Sequence, residues 1–484
     1  MGSIAPIRCL LWMGLVCMIV AGSPAPAAAQ APSDSLRASV TLFGAAGSSG
    51  DLPFWLRANR HGTVDPTSAN AGLRLGAHRR FAGTDGLDYA VGTELLARAS
   101  HNATVTAHEL YGQLRYWKLQ FTAGRKEQSI GRVDTTLSLG STTHSRNAAP
   151  VPRISISSVG YVTVPWTGGG LAFKGYLGHG WLEEDRFVRN ALLHEKYLYA
   201  RLLPPDSPIN AYAGITHHAM WGGDSPERGP QASSFREWVD ITFGTDVLTN
   251  YRPNAESRIS NANHLAMYDF SLSADLGGVQ GLVYRQFYHE DIASFNFRNV
   301  WDGLWGVSLR RDDPSALVNA VLWEHLRMTR HNARWDLGQS RGADSYYNHY
   351  VYESGWTYQD RTLGTPLLTS ASTTPGVGDE ALGVANNIVV AHHVGVEGHL
   401  GAGLSYQLLG TYSRNYGANS LCDGCEYGRR DRRDQYSFRL EVRGPLSERY
   451  NLWVRVAAAV DTGEFYDDRM GGSFALTWRR PLGL

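Results

Sequence analysis

The chain has 484 residues, with 45 Lys and Arg against 45 Asp and Glu, and so carries no net charge at neutral pH. Phosphate binding needs a surplus of cations on one face, so this balance excludes nucleic acid as a partner. Beyond the N-terminus no apolar run is long enough for a membrane helix, which excludes a helical membrane protein.

Residues 1–29 read as a cleavable export leader. Arg8 gives the positive start, Leu10 through Val20 the short apolar core, and Ala27-Ala28-Ala29 the small-residue cleavage site. Pro24 and Pro26 interrupt the run where an anchor helix would have to continue. Removing Arg8 with the leader leaves 44 basic against 45 acidic side chains. Residues 30–50 are small and are expected to be a flexible segment. A single domain is expected over 51–484, opening at 51–81 with a dense group of aromatic and basic residues.

From Leu73 the hydrophobic period is two. In Asp88–Arg98, Tyr89, Val91, Thr93, Leu95 and Ala97 share one face, while Gly92, Glu94 and Arg98 share the other. Similar segments recur at 104–115, 118–127, 171–179, 195–202, 211–220, 264–276, 279–290, 303–310, 316–328, 388–398, 401–412, 435–443, 451–461 and 472–479. An exported chain that alternates in this way, without spanning helices, predicts an all-β fold, a transmembrane antiparallel β-barrel of the outer membrane. The 14 Trp, 24 Tyr and 15 Phe would then supply its interfacial girdles. Phe474, Leu476 and Trp478 lie on one face of the last segment, as a closing strand requires. Outside the wall, Ser234-Phe-Arg-Glu237 has the form of a helix capping box, residues 181–194 carry a weaker helical pattern, and 361–385, rich in Thr, Ser, Gly and Pro, read as a long loop.

Several residue sets could carry function. Cys422 and Cys425, in Cys-Asp-Gly-Cys, are expected to close a small loop as a disulfide after export. No further ligands lie nearby for zinc, and no helix follows that would activate a thiol. His217-His218 and His392-His393 lie in strands, where neighbours point to opposite faces, so neither doublet chelates one ion; no metal and no cofactor is expected. Glu183, Glu184, Asp185, Asp302, Glu324, Asp461 and Glu464 are candidate carboxylates for glycoside hydrolysis, which would need two of them flanking one sugar bond. His264 and Ser271 lack the turn that exposes a hydrolase nucleophile. Recognition of a polymer has better support. Arg125, Lys126 and Glu127 end one strand, and Arg285, Gln286 and His289 lie in another beside Trp301, Asp302 and Trp305, where rings could stack on sugars and guanidinium groups could pair with acidic ones.

A family resemblance rests on ordered motifs: Leu52-Pro-Phe-Trp-Leu-Arg-Ala-Asn-Arg-His-Gly62, Leu114-Arg-Tyr, Thr122-Ala-Gly-Arg-Lys-Glu127, Leu193-His-Glu-Lys-Tyr-Leu-Tyr-Ala-Arg201, Gly214-Ile-Thr-His-His-Ala-Met-Trp-Gly-Gly223, Asn263-His-Leu265, Tyr284-Arg-Gln286, Asp302-Gly-Leu-Trp-Gly306, Ser354-Gly-Trp-Thr-Tyr358, Gly364-Thr-Pro366 and Thr411-Tyr-Ser-Arg-Asn-Tyr-Gly417. With these the chain resembles outer-membrane capsule assembly proteins of the Wzi family, in the divergent form found in Bacteroidota and relatives. The resemblance implies a monomeric barrel of about 18 strands, with small helical elements plugging the periplasmic side. It also implies a lectin-like hold on capsular or other surface polysaccharide, with no reaction catalysed. Arg125, Glu127, His217, Arg285 and Asp302 fall in the matching motifs and, with Trp305, form the expected polysaccharide-binding or lumen-facing set. The alternatives are a porin-like channel for sugars or small anions, and an outer-membrane hydrolase acting on glycan or lipid.

Overall fold

The computed structural model describes residues 36–83, 86–245, 262–290, 299–333, 342, 344–378, 381–401, 403–419 and 429–482. The export leader and the Cys422/Cys425 pair lie outside these residues. Eighteen strands close into one antiparallel barrel. In chain order they are β1 (Leu36–Asp51), β2 (Thr67–Arg79), β3 (Asp88–Ala99), β4 (Ala103–Tyr116), β5 (Leu119–Arg125), β6 (Pro152–Ser158), β7 (Leu171–Trp181), β8 (Leu192–Leu202) and β9 (Ile209–Trp221). They continue as β10 (Asn263–Asp275), β11 (Val279–His289), β12 (Gly303–Arg311), β13 (Ala320–Met328), β14 (Val389–Gly401), β15 (Leu404–Gly417), β16 (Arg429–Ser447), β17 (Leu452–Gly463) and β18 (Arg469–Leu482). Each pairs with its sequence neighbours, and β1 closes on β18 from Leu36↔Leu482 to Gly47↔Gly471. Closure leaves no unpaired edge, the condition for placing strands in lipid.

The alternation read from the sequence is the alternation of lipid and lumen. Tyr89, Val91 and Leu95 on β3, Phe270 and Leu272 on β10 and Phe474 on β18 are all exposed on the outer surface. Two expectations are corrected. Residues 36–51 form β1 and are not a flexible segment: Gly44-Ala-Ala-Gly-Ser-Ser hides the alternation, but β2 and β18 supply ladder partners on both sides. Residues 181–194 hold no helix, because they form the connection between β7 and β8 with Arg186 turned into the molecule. The described residues of 361–385 are largely irregular, as expected, but the loop is folded inward: Leu363, Thr365, Leu368, Thr369 and Ser370 are buried. The capping-box helix is present as α2 (Phe235–Phe243), following the helical turn α1 (Phe54–Arg57) earlier in the chain. Ser234 Oγ donates to the Glu237 carboxylate instead of capping the backbone, and the helix buries Ile241 and packs Trp238 against the wall, leaving Phe235 exposed.

The two rims differ sharply. Turns such as 117–118, 276–278 and 448–451 are short and share a rim with both ends of the wall, at Leu36 and Leu482. The opposite rim carries the connections 52–66, 126–151, 222–262 and 329–388. Outer-membrane barrels keep short turns on the periplasmic side and long connections outside. The long-connection rim is therefore the outer one.

Segments 52–66 and 126–151 and the described residues of 329–388 turn inward from that rim and fill the lumen. The plug hangs from the outer rim, and its tip, residues 132–138, reaches the short-turn end, where Asp134 accepts hydrogen bonds from Ser308 Oγ at 2.8 Å and Arg310 Nη2 at 3.2 Å. Its helical content is small, as expected. Buried wall carboxylates hold it. Glu324 on β13 accepts from Leu139 N at 2.7 Å, Ser138 Oγ at 2.6 Å and Tyr284 Oη at 2.5 Å. Asp269 on β10 accepts from Arg132 N at 2.7 Å, and Asp461 on β17 from Phe54 N at 2.8 Å. Glu195 on β8 lies 2.6 Å from His144 Nδ1 and 2.8 Å from Arg153 Nη1. An ionised acceptor for a buried N–H contributes about 1.5–3 kcal/mol.

The fit between tip and wall depends on a glycine. A Cβ at Gly395 on β14 would stand 2.7 Å from Leu137 Cβ, while the neighbouring inward residue His393 lies 2.8 Å from Leu137 O. Gly395→Val should lift residues 134–139 from the wall at a cost of about 1–3 kcal/mol. Faster amide exchange at Leu137 and Leu139, with the wall strands unchanged, is the expected readout; unchanged exchange there would disprove the contact.

Candidate functional site

Above the plug a polar cleft of about 650 Å³ opens at the outer rim. Its wall side comes from the inward residues of β3 and β4, Leu96, Arg98, Thr104, Thr106 and His108, with Arg125 at the end of β5. Asp65 in the β1–β2 connection and Glu183 and Asp185 in the β7–β8 connection form its margins, and Gln359, Asp360 and Arg361 from the plug complete it. Among the described residues no Trp, Tyr or Phe lines it, so its chemistry is ionic and hydrogen-bonding.

Each of these groups is held by the fold. A tight hairpin between Thr357–Tyr358 and Arg361–Thr362 places Gln359 and Asp360 at φ 49° and 60°. Positive φ at both central residues is the geometry of a two-residue primed turn, usually met by Gly or Asn. Glu183 Oε1 accepts from Gln359 N at 3.2 Å, and Arg186 donates to Gly355 O at 3.1 Å and Thr357 O at 3.0 Å, so the β7–β8 connection clamps this hairpin. Arg125 donates to Tyr358 Oη at 2.9 Å, and Arg98 pairs with Asp65 at 3.4 Å. Arg361 donates to Arg57 O at 3.2 Å and to Val64 O.

Charges of one sign are gathered as well as paired. Burial, helped by the charges of Arg57 and Arg98, brings the Arg361 guanidinium down to about 10. Burial and the adjacent Asp185 push the Asp360 carboxyl up. Next to the cleft a bulge between β3 and β4 turns both His108 and Glu109 inward. Glu127 N donates to Glu109 at 2.9 Å, while the Glu127 carboxylate meets His108 Nε2 at 3.0 Å, His61 at 3.6 Å and Arg74 at 3.8 Å. Burial pushes Glu127 up, but these hydrogen bonds and charges outweigh it and hold the carboxyl at about 2. Burial brings His61 down to about 4.

The structure separates the six residues expected to face a ligand or the lumen. Arg125 lines the cleft and Glu127 braces its side. Asp302 is inside but fully buried: it accepts from Thr329 N, Arg330 N and His331 N at 2.9–3.0 Å and from Tyr346 Oη at 2.9 Å, and so anchors the plug. His217, Arg285 and Trp305 lie on the outer surface of the wall, which corrects their lumen-facing assignment. Their inward neighbours identify the face: His218 reaches Glu195, Tyr284 reaches Glu324 and Ser308 reaches Asp134. Alternation then turns His217, Arg285 and Trp305 outward. Arg285 stacks its guanidinium 4.5 Å from the Trp305 ring and donates to Val300 O and Asp302 O. Of the carboxylates considered for hydrolysis, Asp302, Glu324 and Asp461 are occupied by the plug, and Glu183 and Asp185 reach the cleft. Sequence reading missed Arg98, Asp65, Asp360 and Arg361; the last two carry no local signal, because only plug folding brings them to the wall.

Residues 57–375 match the family model described as capsule assembly protein Wzi. The chain belongs to the Wzi capsule assembly family. Among solved structures it is similar to Wzi of Escherichia coli, described as an outer-membrane protein involved in group 1 capsule assembly and a carbohydrate-binding β-barrel. The two share 16% identity over 92% of this chain and 85% of the other, with a TM-score of 0.56. Two proteins of Pseudomonas aeruginosa align with lower scores. OccK3 aligns with a TM-score of 0.45 at 12% identity over 93% of this chain and 96% of the other. OccK5 aligns with a TM-score of 0.48 at 9% identity over 93% and 98%. The chain matches no sequence among curated proteins. At these identities the likeness to Wzi speaks for the barrel fold of this family member.

Proposed function

We propose that this outer-membrane Wzi-family barrel holds an exported surface polysaccharide in the outer cleft, as a single chain and without catalysing a reaction. The observation that carries the reading is a charged cleft, open outward, whose floor is a plug bonded to the wall. A chain entering it meets Arg98, Arg125 and Arg361 as donors for acidic groups and Asp65, Glu183, Asp185 and Asp360 as acceptors for sugar hydroxyls. The carbohydrate binding described for the Escherichia coli relative supports the same reading.

A cleft without aromatic stacking makes binding depend on charge. Retention of an acidic capsular polysaccharide by the purified protein should fall as salt rises. Arg125→Gln, which removes one charge-assisted contact, should weaken retention about tenfold. Unchanged retention by this variant, with the barrel intact, would remove the cleft as the site. Release of reducing ends from the polysaccharide by the wild-type protein would replace attachment with hydrolysis.

A further inference from the structure

The outer surface of the wall carries a feature that the cleft does not use. On three of four adjacent strands, β13, β15 and β16, the outward side chains run from apolar through aromatic to cationic towards the outer rim; β14 between them ends on Val390, and Asp434 precedes Arg432 on β16. On β13 the order is Val321, Trp323, His325, Arg327, and on β14 it is Val394 then His392. On β15 it is Leu408, Tyr412, Arg414, and on β16 Leu440, Phe438, Tyr436, Arg432. The apolar members are exposed as lipid-facing residues are, Val394 and Leu440 each at 47%.

Register gathers the polar ends. His325 pairs across to His392, His392 to Tyr412 and Tyr412 to Tyr436. The His325 and His392 rings stack at 4.5 Å, and Tyr412 and Tyr436 at 5.0 Å. Arg432 donates to Tyr412 Oη at 2.9 Å and pairs with Asp434 at 2.6 Å; Arg327 donates to Thr329 Oγ1 at 3.0 Å. Arg414, whose charge is felt at both His325 and His392, makes no hydrogen bond or ion pair with the described residues, and its buried Nε lacks an acceptor. Arg414 and Arg432 thus stand by the Asp434 carboxylate, and Arg327 lies two strands from Arg414 at the same level, all outside the aromatic layer.

We propose that this face binds the phosphorylated headgroup of an outer-leaflet glycolipid. The layers match such a lipid part by part: acyl chains against Val321, Val394, Leu408 and Leu440, the sugar backbone against the aromatic rings, and phosphate oxygens on Arg327, Arg414 and Arg432. Aromatic side chains take the membrane–water boundary, and the guanidinium fork suits phosphate geometry. A soluble phosphate or glycan would leave the adjoining apolar layer unused, which favours the lipid as occupant.

The test is native mass spectrometry of the full chain in detergent, with diphosphoryl lipid A and its dephosphorylated form as probes. Wild type should retain the diphosphoryl form at least tenfold better. Arg414→Gln, which breaks no contact within the described residues, should reduce that preference, and the Arg327→Gln/Arg414→Gln pair should abolish it. Arg449→Gln, exposed on the short-turn rim, should leave it intact. Equal retention of both forms by wild type, or an unchanged preference in Arg414→Gln, would overturn the proposal. So would displacement of lipid A by equimolar inorganic phosphate or soluble acidic oligosaccharide.

Discussion

Replacing residues 329–388 by a short turn should convert a closed barrel into a conducting one. Met328 and Val389 are already register partners on adjacent strands, so the wall can close over the deletion as a plain hairpin. The segment removed carries Trp356, whose Nε1 donates to Thr143 O at 2.7 Å, and Leu363, whose carbonyl accepts Ser145 N at 2.7 Å, so its loss also frees part of segment 126–151. A barrel of about 16–18 strands without internal filling leaves an aqueous channel. In planar bilayers the full-length protein should show no discrete steps, and the deletion variant should show stable ones, with the barrel still resistant to heat on gels. Steps of equal size in both proteins would contradict a lumen closed by this segment and would favour the channel reading of the family member over attachment.

Asp302→Ala should loosen the same plug without removing it. The carboxylate stands just before β12, is fully buried, and accepts three backbone N–H groups and the Tyr346 hydroxyl. Burial pushes its pKa up and outweighs these hydrogen bonds, which pull it down. Alanine strands all four donors, for a local cost on the order of 3–5 kcal/mol. Asp302→Asn keeps one acceptor oxygen but turns an NH2 group towards other donors, so it should fall between alanine and wild type. Hydrogen exchange at residues 329–332 reads the effect directly: strong acceleration in Asp302→Ala, intermediate in Asp302→Asn, with β12 and β13 protected in both. Equal protection in all three proteins would show that the plug does not hang from this carboxylate.

The wall was the legible part of this protein. A strand's side chains alternate whatever the neighbours are, so segments such as 88–98 and 264–276 declare a lipid face and a lumen face locally. β1 escaped because Gly, Ala and Ser carry little hydropathy, and its place was decided by β2 and β18. The direction of each face was the harder matter. Arg285 and Trp305 look like lumen residues by chemistry, yet parity from Tyr284 and Ser308 turns them outward to pair with each other at the rim.

The plug and the cleft were barely legible, since they depend on contacts between residues far apart in the chain. Thr, Ser and Gly in 361–385 read as loop because a segment without regular structure uses those residues to satisfy its own backbone, as Thr374 Oγ1 does in donating to Ser370 O at 2.8 Å. Asp302, Glu324 and Asp461 stood out as candidate carboxylates for glycoside hydrolysis, and in the structure they hold backbone N–H groups of the plug. By itself the sequence determined a closed antiparallel barrel of the Wzi family, because alternation and ordered motifs are local properties. Only the tertiary structure decided that the plug hangs from the outer rim and that Arg98, Arg125, Asp360 and Arg361 share a cleft, because those positions follow from where a folded insertion meets the wall.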